Sequence, residues 1–508
     1  MAPAEDIANR IPITFGLMVA TVMTTLDSTI ANVALPHMQG SFSASQDQMT
    51  WVLTSYVVAA ALMTPLSGWL TARIGQRRMV LLAIGGFTAA SMLCGSASSL
   101  AEMVVVRLLQ GLCGAVMIPV SQAVMLDLFP PRQLSQAMAV WGAGTALGPM
   151  LGPVIGGWLT EDLSWRWVFY INLPVGIGAM VVLALFMSRD RPRQAPRLDI
   201  VGFGALALFI GGLQLALDRG PRLDWFASPE VWTEAIASGL GLYLFIVQML
   251  AARRPFFERS LFRDRNFLTS NIFSIVVSLV VFSTIALQPP LLQQLLGYPV
   301  FSAGLIMAPR SVFSLCSMLG VGQLAMRVDN RLLLAGGLAL TAMAMLQMSR
   351  FDLSMTSQPF LVASIMQGVS TGFLFVPMNT LAFVTLAGRL RGDAAAFSSM
   401  TRSLGQSVGI SMVEAIYTNQ AAVAHADLAG QVHASSPVFA AGMAARASPL
   451  SLGGLAGLNG EITRQAAMIG YVDVYYLMFL TTVAVMPLVF MLRLPRRGAP
   501  LLVETIGE

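Results

Sequence analysis

The sequence contains very little charge and no lysine. Only 11% of its 508 residues are charged, whereas soluble domains carry about 25%; 56% are hydrophobic, and the mean hydropathy is +0.71. This composition excludes a soluble globular protein. Because about 20 apolar residues cross a bilayer, the long apolar runs predict an all-α integral membrane protein. The first run follows Glu5 and Asp6 and lacks a convincing cleavage site, so we expect it to act as its own insertion signal.

Cysteine and histidine are also scarce, with three of each. The cysteines lie in apolar runs without CxxC spacing, which argues against a disulfide framework. The histidines fall in predicted connections, where solvated side chains are more common than metal ligands. The sequence lacks HExxH, GxSxG and P-loop patterns. We therefore expect no enzyme activity, no metal and no cofactor.

All 30 basic residues are arginine, and their placement alternates along the chain. Relative to the predicted helices, 21 lie in connections on one side, six on the other side and three inside helices. Cytoplasmic connections of membrane proteins are rich in basic residues. The bias therefore predicts that both termini are cytoplasmic. It also explains the net charge of +5 without a nucleic-acid partner.

Apolar runs bounded by arginine, proline or glycine-rich connections predict fourteen transmembrane helices. Their predicted bounds are 12–36, 50–71, 79–97, 102–125, 135–159, 166–187, 199–217, 232–250, 268–290, 302–324, 332–349, 359–386, 396–420 and 474–492.

Two halves of the chain repeat each other at a nearly constant offset. "GWLTARIGQR" from Gly68 matches "GQLAMRVDNR" from Gly322 at 254 residues, and "QGLCGAVMIP" from Gln110 matches "QGVSTGFLFVP" from Gln367 at 257. Parallel six-helix repeats build the major facilitator fold, with substrate bound between the repeats. The sequence thus predicts six-helix halves at 1–190 and 261–508, and a two-helix linker at 191–260.

Residues 421–473 are predicted as a long outside connection rich in alanine, serine and glycine. Two interpretations of this segment stay open: a tolerated insertion, since long surface loops cost little, or a contact site for a periplasmic partner.

Five segments resemble the successive motifs of a known family. They are "LDSTIANVALP" from Leu26, "GWLTARIGQRR" from Gly68, "RLLQGLCGA" from Arg107, "GTALGPMLGPVIGG" from Gly144 and "WRWVFYINLPVG" from Trp165. Together they resemble the EmrB/QacA-type multidrug exporters, the fourteen-helix drug:proton antiporters of the major facilitator superfamily. The resemblance covers essentially the whole chain.

The resemblance implies a function, a location and partners. It implies proton-driven export of lipophilic drugs or toxic compounds through the bacterial inner membrane. The long connection before the last helix is similar to the EmrB branch, whose permeases work with a periplasmic adaptor and an outer-membrane channel. The alternative is a proton-coupled transporter of a single endogenous metabolite, such as a fatty acid, siderophore or amino acid. A panel of unrelated substrates would distinguish the two.

Two of these motifs concern a predicted gate and a predicted packing face. The gating loop consists of Gly68, Arg73, Gly75, Arg77 and Arg78, with Arg327 and Asp329 in the second half. The family often has an aspartate where this chain has Ala72. In helix five, glycines recur every fourth residue for close packing, beside two prolines that remove backbone donors: Gly144, Gly148, Pro149, Gly152, Pro153, Gly156 and Gly157.

Asp27 lies inside the first apolar run, where a charge costs about 2.5–3.5 kcal/mol on insertion scales and is functional by default. Arg107 lies at a similar depth in the fourth helix. We therefore predict an Asp27–Arg107 pair that couples transport to protons. A static ion pair that only fixes the two helices is the alternative.

Other polar residues inside predicted helices supply further candidates. Arg310 and Glu414 lie at matching depths and are predicted to form a structural ion pair. Arg402, Asn32, Gln110 and Asn379 are candidates for the cavity. The three arginines outnumber the two acids inside the helices, so we expect substrates that are lipophilic and neutral or weakly acidic.

Overall fold

The computed structural model describes residues 8–130, 133–188, 198–431 and 452–492. Every regular element in these ranges is helical. The α-helices are α1 Arg10–Phe42, α2 Gln46–Met63, α3 Ser67–Ile74, α4 Gln76–Ser96, α5 Leu100–Gly114, α6 Met117–Leu128, α7 Leu134–Asp162, α8 Trp167–Tyr170, α9 Asn172–Phe186, α10 Ile200–Arg219, α11 Pro229–Ala251, α12 Arg259–Arg263, α13 Arg265–Pro290, α14 Val300–Leu324, α15 Asn330–Met348, α16 Ser357–Phe383, α17 Arg391–Gln431 and α18 Leu452–Val485. A π-helical turn, Leu291–Leu295, follows α13.

The all-α membrane architecture predicted from composition is confirmed. Within the described residues, twelve helices are long and apolar enough to cross a membrane. The pair Gln48–Met63 and Ser67–Ile74, bent by 60°, makes thirteen if it is one span. The remaining predicted span, 396–420, lies inside α17 and is not in this set. Its buried face carries Ser398, Ser399 and Thr401, so polarity rather than length separates α17 from the others.

Local sequence explains where several helices begin and end. The Ser45 hydroxyl accepts a hydrogen bond from the Gln48 backbone N–H and forms a capping box that starts α2. Ser99 caps α5, because its hydroxyl accepts a hydrogen bond from the Glu102 backbone N–H. Gly75 separates α3 from α4 with a φ of +97°, a conformation that disfavours other residues.

The prediction of a long irregular connection at 421–473 is wrong for the residues described there. Helix α17 continues to Gln431, and α18 begins at Leu452. Alanine is the strongest helix former, so an alanine-rich polar segment can extend a helix beyond the apolar span. Residues 432–451 lie outside the described part of the chain.

The hydrophobic core is shared between the two halves at one end of the molecule and divided at the other. At the arginine-rich end, one cluster joins first-half residues such as Met125 and Leu134 to second-half residues such as Phe383 and Ala394. At the opposite end, the first half has its own cluster around Ile30 and Phe169, and the second half has a separate one around Tyr475. The halves are thus packed together at the arginine-rich end.

Candidate functional site

The structure brings Asp27 of α1 and Arg107 of α5 together as predicted. Arg107 Nη1 lies 2.7 Å from Asp27 Oδ2, and both residues have no solvent exposure. A pair this deeply buried needs further hydrogen bonds, because attraction between the charges alone does not offset the loss of hydration.

Two amides complete the hydrogen bonding of the Asp27 carboxylate. Gln110, one turn along α5 from Arg107, donates through Nε2 to Asp27 Oδ1 at 2.9 Å. Asn172, at the start of α9, donates through Nδ2 to the same oxygen at 3.2 Å. Asn172 also donates to Ser91 Oγ in α4, and Ser91 donates to the Phe169 carbonyl. Gln110, predicted to line the cavity, therefore belongs to the buried Asp27 site.

The Arg107 guanidinium is held on all sides. Its Nε donates to the Val52 carbonyl at 3.2 Å, and Nη1 also donates to Gln110 Oε1 at 2.8 Å. Its central carbon lies 4.4 Å from the ring centroid of Tyr56 and 5.6 Å from that of Phe169, within the range of cation–π attraction. A cation fixed in this way presents a preorganised partner to the ionised Asp27 carboxylate.

The Asp27 site lies inside the first half rather than between the halves. Its ligands come from α1, α5 and α9, supported by α2 and α4. On the neighbouring face of α1, Ser28 and Asn32 are exposed, and the Asn32 amide donates to the Ser28 carbonyl at 3.4 Å. Because Ser28 follows Asp27 directly, a change in the Asp27 contacts can move a residue on the exposed face of the same helix.

The glycines of α7, which is helix five of the sequence prediction, pack against α1 next to this site. A Cβ at Gly148 would lie 2.5 Å from the Leu26 backbone nitrogen, and one at Gly156 would lie 2.8 Å from Ile30 Cγ1. Gly144 and Gly152 face Met18 and Thr29 similarly closely, whereas Gly157 has open space. The predicted packing face is therefore present. Helix α7 remains continuous through Pro149 and Pro153.

The predicted ion pair between Arg310 and Glu414 is wrong. Arg310 is 8% exposed and donates to Gln288 Oε1 at 3.3 Å and to the Val281 carbonyl at 3.2 Å. Glu414 is exposed on α17. Matching depth along two helices does not fix which way each side chain points, and here the two point to different environments.

Two further cavity candidates lie in contacts between the halves. Gln122 Nε2 of α6 donates to Asn379 Oδ1 of α16 at 3.3 Å. Arg402 of α17 lies 5.2 Å from the ring of Trp141 in α7. Both contacts belong to the arginine-rich end, where the halves are packed together.

The gating-loop residues have distinct structural roles. A Cβ at Gly68 would lie 3.0 Å from the Asp393 Cα, so α3 approaches the start of α17 closely. Arg73 covers the Trp69 ring at 5.2 Å, and Arg77 donates to the Ala184 carbonyl. Arg78 is exposed.

In the second-half copy of this loop, Arg327 is exposed. Asp329 caps α15 by accepting the Arg331 backbone N–H at 2.8 Å. Asp329 is therefore used for helix capping rather than for a contact with Arg327.

Sequence reasoning missed a salt bridge that links the halves near this loop. Arg391 Nη1 lies 2.8 Å from Asp127 Oδ1 and also donates to the Leu126 carbonyl. The other oxygen of Asp127 accepts from Gln76 Nε2 at 3.1 Å. Both charged residues lie in the terminal turn of a helix, where a charge in the sequence cannot be told from an ordinary solvated one.

Comparison with known proteins identifies the family to which this architecture belongs. The family model of the Major Facilitator Superfamily matches residues 17–410. The chain belongs to this superfamily. Its members are transporters, which accords with the buried charge site and with the packing of the halves.

Curated relatives narrow the family further. The chain is 33% identical over 490 residues to the fatty acid resistance protein FarB of Neisseria gonorrhoeae, covering 95% of this chain and 96% of that protein. It is also 33% identical over 432 residues to the multidrug export protein EmrB of Escherichia coli K12, covering 85% and 84%. Within the superfamily, the chain is of the EmrB type, as its five motifs predict.

A solved structure supports the fold. The human organic anion transporter MFSD10 (TETRAN) superposes with a TM-score of 0.60 at 14% identity, covering 94% of this chain and all of that one. At this identity the likeness concerns the fold alone.

Proposed function

We propose that this transporter exports lipophilic drugs or toxic compounds from the bacterial cytoplasm in exchange for protons. The observation that carries the proposal is the fully buried Asp27–Arg107 pair with its two amide donors. A carboxylate is the group that can bind and release the proton, and Arg107 is the group that its protonation would set free. The arginine bias orients the protein with both termini and the 251–267 connection in the cytoplasm.

The packing of the halves fits one state of an alternating-access cycle. In this orientation the shared core and the Asp127–Arg391 pair lie on the cytoplasmic side, so the described conformation is closed toward the cytoplasm. Protonation of Asp27 from the outside would weaken its bonds to Arg107 and Asn172 and allow α1 to shift against α5 and α9. The inward-facing state would then release the proton and load substrate.

The helices before and after residues 432–451 support a role for a periplasmic adaptor. Beyond the predicted spans, α17 extends eleven residues past residue 420, and α18 begins 22 residues before residue 474. At 1.5 Å per residue these extensions reach about 16 Å and about 33 Å. Such a helical projection offers an adaptor a rigid surface, and we propose that the permease works with an adaptor and an outer-membrane channel.

The expected substrates are lipophilic and neutral or weakly acidic. Among the described residues, the buried charges within the spans are Asp27, Arg107 and Arg310, and the pair formed by the first two leaves a net positive charge. A cation entering such an interior lacks a counter-ion and would be strongly disfavoured.

The proposal is tested by transport in proteoliposomes that carry Asp27→Asn. The amide matches the carboxylate in size but cannot titrate, so we expect loss of export driven by a pH gradient. The control is exchange of labelled for unlabelled substrate without a gradient, which needs no net proton movement and should persist. Normal gradient-driven export by the variant would refute proton coupling through Asp27. Lower expression and thermal stability without loss of coupling would favour the static ion pair.

A transporter of a single endogenous metabolite is the second candidate. The relative FarB supports this second candidate, because it is a fatty acid resistance protein and fatty acids are endogenous metabolites. Export of several chemically unrelated compounds by the purified protein would decide against it.

A further inference from the structure

Arg310 is a buried cation whose hydrogen-bond partners are all neutral. Its guanidinium donates to the Gln288 side chain and to the Val281 carbonyl, both in α13. No carboxylate in the described part of the chain forms an ion pair with it. A guanidinium that leaves water without a counter-ion costs several kcal/mol, so this arrangement calls for an anion. Two hydrogen bonds also leave most of its five N–H donors unused.

A second unused donor lies near Arg310. Tyr475 of α18 is fully buried, and its hydroxyl has no hydrogen-bond partner among the described residues. Tyr475 lies in the same buried cluster as Leu287, which directly precedes Gln288, and Ile306, which lies one turn before Arg310. The neighbouring amides are already occupied, because Gln288 Nε2 donates to Gln367 Oε1 and Gln367 Nε2 donates to Met348 Sδ. The guanidinium and the phenol are thus two donors that remain available to a ligand.

The internal repeat allows this cluster to be compared with the Asp27 site of the first half. Gln367 lies 257 residues after Gln110 and keeps the amide, but Ser283 lies 256 residues after Asp27 and Ser364 lies 257 residues after Arg107. Both serines are fully buried, and both hydroxyls are without partners among the described residues. The second half therefore has two hydroxyls at the positions where the first half has the ion pair, beside one cation without a charged partner.

The outer end of α13 provides a route to the cluster. Gln288 is followed by Pro289 and Pro290 and then by the π-helical turn Leu291–Leu295. Prolines remove backbone donors, and single π-helical turns are frequent at functional sites. At this end of the molecule the two halves have separate cores. A small movement of the turn can therefore expose Arg310, which already has 8% of its surface exposed.

We propose that Arg310 and Tyr475 bind the carboxylate of a lipophilic acid that the protein exports. A carboxylate matches the planar fork of a guanidinium with two parallel hydrogen bonds, and its single negative charge balances Arg310. The phenol of Tyr475 can donate a third bond. This inference rests on the proposed export function and adds a recognition site to it, separate from the proton-coupling site around Asp27.

The test compares binding of decanoate, its methyl ester and sodium chloride to the purified protein by ligand-induced thermal shift and by competition with a fluorescent fatty acid. We expect decanoate to bind at least about tenfold more tightly than the ester, the scale of a charge-assisted hydrogen bond. Arg310→Gln should remove this preference, and Arg310→Lys, which keeps the charge, should retain part of it. Arg389→Gln removes an exposed arginine and should leave the preference unchanged.

The possible results separate the inference from the proposed function. An unchanged preference for decanoate in Arg310→Gln would overturn the site. Chloride that competes as strongly as decanoate at equal concentration would show an inorganic anion site instead, and would also overturn the assignment. Export of a neutral lipophile by Arg310→Gln should continue, which also shows that this variant folds. Failure of wild-type protein to export any lipophile would instead contradict the proposed function, while the binding result would still decide the site.

Discussion

The Asp27 carboxylate depends on residues that only the fold brings together. Arg107 and Gln110 lie one turn apart on α5. Asn172 comes from α9 and is itself oriented by Ser91 of α4. A buried charge is tolerated only when hydrogen bonds replace its lost hydration. Each donor therefore stabilises the buried carboxylate.

We predict that Asn172→Leu lowers the thermal stability of the protein. Leucine has a similar size but cannot donate, so the buried Asp27 carboxylate and the Ser91 hydroxyl each lose a hydrogen-bond partner, at a cost of about 1–3 kcal/mol. The unfolding temperature in detergent checks this. Ser91→Ala is the matched variant, because it removes only the support of Asn172 and should cause a smaller decrease. An unchanged unfolding temperature in Asn172→Leu would show that this hydrogen bond does not stabilise the fold.

At the scale of elements, the contact between α1 and α7 depends on glycine at particular positions. Gly148→Ala would place a methyl group against the Leu26 backbone, which cannot move without shifting α1. We expect a loss of about 1–3 kcal/mol, the usual cost of overpacking a close contact, seen as a lower unfolding temperature in detergent. Gly157→Ala is the control, because nothing lies within 4 Å of its added Cβ. Equal stability of the two variants would contradict the packing role.

The link between Asp127 of α6 and Arg391 of α17 should hold the arginine-rich end closed. We predict that Asp127→Asn opens this end more often, because the half-buried pair loses its charge attraction. Labelling of a cysteine introduced at Ala139, which lies against Gly322 of the second half, would report the opening. In the proposed orientation, a reagent added outside inverted vesicles reaches this end. The exchanged pair Asp127→Arg with Arg391→Asp should restore slow labelling. Slow labelling in the single variant would show that the salt bridge does not control opening.

The helices and the Asp27–Arg107 pair could be predicted from sequence, whereas contacts that depend on side-chain direction could not. Length and apolarity decide whether a segment spans the membrane, and a lone acid and a lone arginine at one depth have few other partners. Arg310 and Glu414 also lie at matching depths, yet the side chain of Glu414 is exposed on α17 and does not reach Arg310. Asn172 is polar in an apolar run, a signal that could have identified it. The extensions of α17 and α18 were missed because a polar alanine-rich helix resembles a loop in hydropathy.

At the scale of the whole molecule, the two halves contain different buried charges. The first half holds a compensated ion pair suited to protonation, and the second half holds a cation with neutral partners. Two similar six-helix units would thus carry the proposed proton site in one unit and the proposed anion site in the other. Coupling between them requires only that both bias the same opening and closing of the halves.

The measurement that tests the central claim most directly is proton release on substrate binding. Purified protein in weakly buffered detergent solution receives a neutral lipophilic substrate at several starting pH values, and a pH indicator is followed. Antiport through one site predicts release of up to one proton per bound substrate by the wild type and none by Asp27→Asn, with substrate binding retained. Equal proton release by both proteins would contradict the account.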